Sequence, residues 1–392
     1  MSNILFLYER DMPTVSDMRL RFEKMFYREG NIRHVFKSVN TVKPFDVEWL
    51  DVLVLIRPDN YLSYKIAKNV SDSGRTVVFF MDDDLFCIPK EALPTIPWKK
   101  KALQKNLELS DVFLSSSDYL LNKYGQMTKG KKTVRADSAT DEEDIVNSLP
   151  KKKDDEIIKI VYAAGNNHSE LFEKYVLPIL PKLEQNYGKK VSLTFFGAKP
   201  SVGDVRDLEV NYIGSMPLKE YRQKMIDSAF DIGLAPLNDD DFSKCKYFNK
   251  YIEYTLTGVV GIYSNVEPYN IVIKDGENGF LAENDPESWY QKIVEALNRK
   301  KLETMFYKAK QHIVDNFSVE TIIERLKEGI PEFFEHPQGN HKKPILLFAV
   351  IKYKILRVFD MAYLILYYLR RGGIKKVKEK IVTHKEESKS YR

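Results

Sequence analysis

The sequence contains few cysteines, which argues against a disulfide-stabilised fold and against a zinc site. Cys87 and Cys245 are the only two in 392 residues. Two isolated thiols do not form a disulfide framework, and their spacing does not fit a zinc site. We therefore expect a protein of the reducing cytoplasm.

A signal peptide and a dinucleotide fingerprint are also lacking. The chain begins MSNILFLYERD, with a short apolar run in place of a basic segment followed by a long apolar one, so we expect no export. Later, the segment VYAAGNNHSE contains a single glycine, Gly165. The G-x-G-x-x-G pattern of dehydrogenases is absent from both halves of the chain, which argues against that class of enzyme.

Excess positive charge is absent from most of the chain and is confined to its C-terminal end. The net formal charge is +5. Residues 341–392 contain 14 Lys or Arg against 4 Asp or Glu, so the rest of the chain has 47 basic against 52 acidic residues. The tail is therefore expected to bind an anionic partner, and nothing in the remainder points to nucleic acid.

The chain does contain two successive series of short β-rich runs separated by helical patterns. The clearest runs are NILFLY, DVLVLIRP, TVVFFMD, IIKIVYAAG, VSLTFFG, DIGLAP and GVVGIYS. This alternation predicts parallel sheets covered by helices. We predict an α/β protein with two Rossmann-like, doubly wound domains (1–150 and 151–336) and a tail (337–392). Two such domains in tandem are expected to hold a ligand in a cleft between them.

The tail contains an apolar run, residues 344–369, that four charges interrupt: Lys352, Lys354, Arg357 and Asp360. Those charges make a membrane-spanning helix unfavourable. An apolar helix face followed by clustered basic residues instead predicts an amphipathic helix lying on an anionic membrane surface. A helix docked on another protein and a helix packed against the rest of this chain are the alternatives.

The most informative segment is 231–281, which is typical of a strand, an acidic loop, a helix, a strand and a glycine turn. Within KYFNKYIEY, a helix opened by Lys246 would place Lys246, Lys250 and Glu253 on one stripe. Two ammonium groups suit a diphosphate, and a carboxylate one turn further suits ribose hydroxyls. The spacing predicts binding of a nucleotide-diphosphate sugar, and a solvated charged helix face is the alternative.

The order PLNDDDF, KYFNKYIEY, TG and GENG resembles the donor-binding half of GT-B glycosyltransferases. The nearest group is the retaining one with a glutamate–seven residues–glutamate signature (family 4-like). The resemblance covers residues 1–330 as a strand–helix pattern, and its specific motifs lie within 158–281. In that group the second glutamate contacts the nucleotide ribose, and Glu253 matches it. Cys245 stands where the first glutamate is expected, which leaves the sugar specificity and the activity open.

The resemblance implies a glycosyltransferase of the hexosyltransferase type, retaining in mechanism. It would move a sugar from a nucleotide-diphosphate sugar to a lipid-linked or polysaccharide acceptor in bacterial cell-surface glycan synthesis. The enzyme would work at the inner face of the plasma membrane with no cofactor beyond its donor. Because of Cys245, a catalytically degenerate accessory subunit is the main alternative. A nucleotide-sugar epimerase is a third, although it would have no use for the tail.

Further side chains are predicted to contact the donor. Gly165, Asn166, Asn167 and His168 follow a strand and precede a helix, where a glycine allows close backbone approach and a helix N-terminus favours an anion. Tyr269, in EPYN after GVVGIYS, is expected near the sugar or phosphate. An ordinary strand-to-helix loop is the alternative for residues 165–168.

On the predicted acceptor side, Glu9, Arg10 and Asp11 follow the first strand. Arg10 is suited to an acceptor phosphate, and Asp11 to accepting a proton from the attacking hydroxyl. A solvated loop is the alternative, and a retaining mechanism in this fold class needs no dedicated base.

Two acidic runs, Asp82–Asp84 and Asp239–Asp241, resemble the metal motif of the other main glycosyltransferase fold. The GT-B layout places lysines and helix dipoles against the leaving charge, and Lys246 and Lys250 supply the lysines. We therefore predict no metal site. Asp82–Asp84 are expected to form the floor of the acceptor side or to cap the segment that follows.

Overall fold

The computed structural model describes residues 2–30, 32–87, 96–149, 157–165, 169–335 and 347–390, with side chains of the last helix described over 353–380. The chain divides into two compact units. The first comprises Met1–Ala139 and Val319–Arg392, and the second comprises Thr140–Ser318.

The first unit contains a six-stranded parallel sheet in the order β2-β1-β3-β4-β5-β6. Its strands are β1 (Ser2–Tyr8), β2 (Ile32–Ser38), β3 (Val52–Ile56), β4 (Thr76–Phe80), β5 (Val112–Ser115) and β6 (Lys132–Arg135). The helices between them are α1 (Pro13–Glu29), α2 (Pro44–Glu48), α3 (Tyr61–Asp72), α4 (Pro97–Leu109) and α5 (Asp118–Tyr124). Every residue of β3 is buried, because helices cover both faces of a parallel sheet and its strands become continuous apolar runs.

The second unit has a six-stranded parallel sheet in the order β12-β11-β10-β7-β8-β9. Its strands are β7 (Ile158–Ala164), β8 (Val191–Gly197), β9 (Glu209–Ile213), β10 (Ile232–Ala235), β11 (Val260–Ser264) and β12 (Phe280–Ala282). Its helices are α6 (Ser169–Tyr175), α7 (Leu180–Tyr187), α8 (Leu218–Ser228), α9 (Asp241–Lys244), α10 (Asn249–Leu256), α11 (Tyr269–Val272), α12 (Pro286–Ala296) and α13 (Arg299–Phe317). The predicted fold class, an α/β protein with two Rossmann-like sheets, is confirmed.

The chain returns to the first unit after α13. Helix α14 (Val319–Gly329) and the short turn after it pack there, and the ring of Phe333 lies 5.8 Å from Phe22 and 6.0 Å from Phe26. The Ser2 hydroxyl also donates to the Glu332 carbonyl oxygen at 2.8 Å. These contacts place residues 319–335 with the first sheet. Residues 140–149 belong to the second unit, whereas the sequence suggested domain boundaries at 150 and 336. The assignment of acceptor and donor binding to the two units stays a prediction.

The tail forms helix α15 (Leu347–Ser390), with non-helical backbone angles at Gly372 and Gly373. One face packs on the first unit: Tyr353 is 3% exposed and joins the core with Leu62 and Ile66 of α3. For this face of the helix, the tail therefore packs against the rest of the chain, which was one of the alternatives.

The other face of α15 carries apolar side chains in solvent, including Val358 (68% exposed) and Phe359 (59%). Among the described residues, no helix combines the length and the apolar character that crossing a membrane requires. Association of α15 with a membrane surface stays a prediction.

Candidate functional site

The segment with the lysines and the glutamate lies between β10 and β11 of the second unit. Helix α9 is a single turn, capped by the Asp240 carboxylate, which accepts from the Ser243 amide at 2.7 Å. The chain then turns, and α10 begins only at Asn249, because Phe248 has non-helical backbone angles (φ −76°, ψ 42°). The prediction that Lys246 opens this helix is therefore wrong: Lys246 lies in the turn, with its amide donating to the Ser243 carbonyl oxygen at 3.0 Å.

Lys250 and Glu253 do share one face of α10. The Lys250 ammonium lies 2.6 Å from a Glu253 carboxylate oxygen, and the two side chains are 26% and 27% exposed. The Tyr221 hydroxyl of α8 lies 3.4 Å from the same oxygen, and the ammonium sits 5.5 Å from the centre of the Tyr221 ring. Burial opposes the charge on Lys250, but the attraction of Glu253 prevails and raises the pKa of the lysine. Lys250 and Glu253 therefore form a half-buried ion pair, in which the two charges neutralise each other beside an aromatic ring.

Tyrosines from neighbouring elements surround this pair. The Tyr254 ring packs on β10 at Gly233, where a Cβ atom would lie 2.4 Å from the ring, so only glycine fits. The Tyr254 hydroxyl donates to the Leu234 carbonyl oxygen at 2.9 Å. Tyr269 opens α11 and is 7% exposed. Burial raises the pKa of Tyr269, and the nearby positive charge of Lys250 partly opposes that rise.

Three of the predicted donor residues, Lys250, Glu253 and Tyr269, thus lie close together. The two tyrosines that complete the cluster, Tyr221 and Tyr254, were missed. Tyr221 comes from α8, far away in sequence, and no spacing rule connects it to α10. Tyr254 directly follows Glu253 and is buried in the structure, and its place beside the predicted glutamate was a usable signal.

Lys246 stands apart from this cluster. It is half-buried, and its ammonium lies 5.0 Å from the centre of the Phe242 ring. Across the described ranges it has no carboxylate partner, so its charge is available to an anion. That Lys246 binds the diphosphate stays a prediction.

Cys245 occupies the place of the first signature glutamate. Its side chain is fully buried, and the thiol donates to the Asp241 carbonyl oxygen at 3.0 Å. A buried thiol held in this way packs the α9 turn and offers no carboxylate to a sugar hydroxyl.

Of the residues predicted to contact the donor after β7, only Gly165 lies within the described part of the chain. Gly165 follows the strand directly and is exposed. Asn166, Asn167 and His168 lie outside the described residues, so their contact with a donor stays a prediction.

In the first unit, Asp11 follows β1 as predicted and is exposed. It lies next to Tyr8, where burial, followed by the negative charge of Asp11, raises the pKa of the tyrosine hydroxyl. The role of Asp11 as a proton acceptor stays a prediction.

Glu9 is engaged in a cluster that the sequence did not predict. The Lys99 ammonium lies 3.2 Å from Glu9 and 3.3 Å from Asp59. Burial raises the pKa of Asp59 to about 7, with the neighbouring Glu9 adding to the effect against the attraction of Lys99. Asp59 directly follows the run DVLVLIRP, so its place near a strand end was a usable signal.

Aspartates of the two acidic runs, Asp82–Asp84 and Asp239–Asp241, form backbone caps and ion pairs within the protein. Asp84 accepts from the backbone amides of Phe86 (3.0 Å) and Cys87 (3.1 Å), which confirms that this run caps the segment that follows. Arg57 lies 3.3 Å from Asp82 and 3.2 Å from Asp83. In the second run, Asp240 caps α9 and Asp239 pairs with Lys244 at 3.1 Å. Within the part of the chain that is described, no group of His, Cys, Asp and Glu is arranged to hold a metal ion.

Comparison with known proteins identifies the fold. No family model and no curated protein matches the sequence. Among solved structures, Anabaena HepE in complex with UDP and glucose is similar over 84% of this chain and 100% of its own, with 12% identity and a TM-score of 0.56. The lipopolysaccharide outer core galactosyltransferase WaaB is similar over 84% of this chain and 99% of its own, with 10% identity and a TM-score of 0.56.

A sucrose-phosphate synthase from Thermosynechococcus elongatus is similar over 85% of this chain and 99% of its own, with 11% identity and a TM-score of 0.60. Identities this low establish a shared fold and leave activity to be argued from the site. The predicted resemblance is confirmed at that level: the chain has the fold of the GT-B glycosyltransferases.

Proposed function

We propose that this protein is a retaining glycosyltransferase that moves a hexosyl group from a nucleotide-diphosphate sugar to a lipid-linked or polysaccharide acceptor in bacterial cell-surface glycan synthesis. We place it in the cytoplasm, at the inner face of the plasma membrane. The observation that carries the proposal is the Lys250–Glu253 pair, set among Tyr221, Tyr254 and Tyr269 in the second unit of a chain with the GT-B fold.

Each charge of this pair has a role in donor binding. The Glu253 carboxylate accepts hydrogen bonds from two ribose hydroxyls, which an ionised oxygen pair does well. Lys250 then turns from its present partner toward the diphosphate, whose negative charge grows as the sugar leaves. Lys246, whose ammonium has no carboxylate partner across the described ranges, adds a second positive charge there.

The remaining predicted residues complete the proposal. The turn containing Gly165, Asn166 and His168 closes the donor pocket, and Tyr269 contacts the sugar or the adjacent phosphate. Asp11, exposed after β1, accepts the proton of the attacking acceptor hydroxyl. The donor is the only small molecule required, since the lysines supply the positive charge that a metal ion would otherwise bring.

The tail supports a location at a membrane. Helix α15 exposes Val358 and Phe359 on one face, and its second half carries a polybasic series. Tyr363, Leu366, Tyr367, Arg370 and Arg371 of the same helix lie together on its surface. Aromatic and aliphatic side chains beside two guanidinium groups suit the headgroup layer of an anionic membrane.

A thermal-shift screen of nucleotide sugars tests the donor proposal. A true donor stabilises the folded protein by mass action, and UDP-glucose is the first to try because HepE was solved with it. We expect a rise in melting temperature with the matching nucleotide sugar, followed by turnover when a lipid-linked acceptor is added. A protein that no nucleotide or nucleotide sugar stabilises would contradict the proposal. The accessory-subunit alternative has no supporting observation.

A further inference from the structure

The first unit contains a cavity of about 150 Å³ between α3, α4 and α15. Four aromatic side chains form much of its wall: Tyr61 and Tyr64 of α3, Trp98 of α4 and Tyr353 of α15. Two exposed lysines of α4, Lys101 and Lys105, also line it. None of these residues belongs to the proposed donor site, which lies in the second unit.

The charges around the cavity leave a positive surplus. Of the carboxylates, Asp59 is paired with Lys99, and Asp360 accepts a 2.5 Å hydrogen bond from the Trp98 indole. Lys101 and Lys105 have no ion-pair partner among the described residues. Their ammonium groups are therefore free to meet an anion.

Lys105, and Lys65 on the neighbouring α3, also lie near aromatic rings. The Lys105 ammonium lies 5.1 Å from the centre of the Tyr64 ring. Lys65, one residue further along α3, lies 5.6 Å from the Tyr61 ring and 5.8 Å from the Tyr64 ring. These cation–π contacts keep the positive groups against an apolar wall. The cavity thus combines a cationic edge with an apolar interior.

The apolar surface continues out of the cavity along α15. Leu356 lines the cavity, and Ile355, Val358 and Phe359 are exposed on the neighbouring turns of the helix. An exposed apolar surface of this kind is rarely left uncovered in a functioning protein. A ligand with a charged end in the cavity and a hydrocarbon chain along α15 would fill the cavity and cover the exposed apolar side chains of the helix.

We propose that this cavity binds a phosphate group carried on an apolar chain. A free phosphate would match the lysines but leave the aromatic walls unused, and a neutral glycan would leave the lysines without a counter-charge. The phosphate has two possible sources, a lipid-linked acceptor or a phospholipid of the bilayer. The first source rests on the proposed function, and it would make the cavity the acceptor's anchoring site.

The test measures binding to the full-length protein by titration calorimetry. The probes are farnesyl phosphate, farnesol, inorganic phosphate and dihexanoyl phosphatidylglycerol, each below its micellar concentration. We expect farnesyl phosphate or the short phosphatidylglycerol to bind at least about tenfold more tightly than farnesol or inorganic phosphate, since both parts of the ligand are recognised. Preference for farnesyl phosphate assigns the acceptor as the source, and preference for the phosphatidylglycerol assigns the bilayer.

Variants identify the cavity as the site. Lys101→Gln with Lys105→Gln removes the two lining charges and is expected to weaken binding by about tenfold or more. Lys68→Gln with Lys129→Gln is the matched control, because both lysines are exposed on the same unit, lie outside the cavity lining and are paired with Asp72 and Asp111. Equal losses in both double variants, or none in the first, would overturn the proposal.

The test of the cavity can fail or succeed independently of the test of the donor site. The Lys101/Lys105 double variant should keep the melting temperature and the nucleotide affinity of the wild type. If no nucleotide binds while farnesyl phosphate still binds through the two lysines, the glycosyltransferase proposal fails and the cavity stands. If farnesol binds as tightly as farnesyl phosphate, the phosphate site is wrong whatever the nucleotide result.

Discussion

The Lys250 ammonium lies 2.6 Å from the Glu253 carboxylate, one turn apart on α10, with the Tyr221 hydroxyl 3.4 Å from the same oxygen. Each charge is about a quarter exposed, so solvent still reaches the pair. The attraction of Glu253 outweighs the burial of Lys250 and raises the pKa of the lysine. Glu253 and Lys250 are accordingly the two positions at which substitution is most informative.

Replacing Glu253 by alanine is expected to weaken nucleotide binding. The variant loses the acceptor for the ribose hydroxyls, and a hydrogen bond to a charged group contributes about 1.5–3 kcal/mol. Titration calorimetry with the nucleotide identified by the thermal-shift screen measures the change. Glu303→Ala, an exposed glutamate on α13 of the same unit, is the control. An unchanged affinity in Glu253→Ala would remove this residue from the site.

Replacing Lys250 by glutamine is expected to act mainly on turnover. If the ammonium stabilises the departing diphosphate, its loss lowers kcat by about 10²–10³-fold, the range measured when one such stabilising group is removed elsewhere. KM should change much less, because the charge matters most in the transition state. Steady-state kinetics with saturating acceptor separate the two parameters. A variant in which only KM rises would make Lys250 a ground-state binding residue.

His312 predicts a pH dependence of stability. It lies on α13 with its Nδ1 atom 2.9 Å from the Tyr251 hydroxyl, and burial, aided by Lys274, lowers its pKa below 6.5. Below pH 6.5 the unfolded chain therefore takes up a proton that the folded state resists, so stability falls as the pH falls. The loss is at most about 1.4 kcal/mol for each unit by which the pKa is lowered.

The variant His312→Asn keeps a polar atom near the position of Nδ1 but does not titrate. Denaturant unfolding at about pH 7.5 and about pH 5.5 compares the two proteins. We expect the variant to lose less stability than the wild type over this interval. Parallel losses would show that the histidine does not contribute to the pH dependence.

The exposed face of α15 predicts binding to anionic vesicles. Replacing Val358 and Phe359 by glutamine removes two of the most exposed apolar side chains and leaves the buried Tyr353 in place. Each apolar side chain withdrawn from the membrane loses about 1.5–3 kcal/mol of transfer free energy, so sedimentation with phosphatidylglycerol vesicles should fall sharply.

Leu20→Gln with Tyr27→Gln is the matched control for this experiment, since both residues are exposed apolar positions on α1 of the same unit. Its sedimentation with vesicles should equal that of the wild type. Equal sedimentation of all three proteins would exclude the α15 face as the membrane contact. Deleting the whole tail is less informative, because it also removes Tyr353 from the core of the first unit.

Much of the fold follows from local patterns in the sequence. Runs such as VLVLI and VVFF are apolar on both faces, which only a sheet covered on both sides accommodates, and both sheets appear where such runs predict them. The pairing of Lys250 with Glu253 is also local, because a spacing of three residues places two side chains on the same helix face.

Other features depended on the tertiary structure. Lys246 was expected on the same helix, but the α9 turn, closed by the Asp240 cap and the buried Cys245, delays the start of α10 to Asn249. Tyr221 reaches Glu253 from α8, and Lys99 joins Glu9 to Asp59 across two strand ends. Such contacts join residues far apart in sequence, so no local spacing predicts them.

The sequence by itself thus determined the two parallel sheets, the charge asymmetry of the tail and the i, i+3 ion pair, since each depends on near neighbours along the chain. Only the tertiary structure decided that α14 returns to the first unit, that Tyr353 is buried there and that α15 has one packed and one exposed apolar face. The reason is physical: an apolar helix face has no intrinsic partner, and burial against another element is settled only when the whole chain has packed.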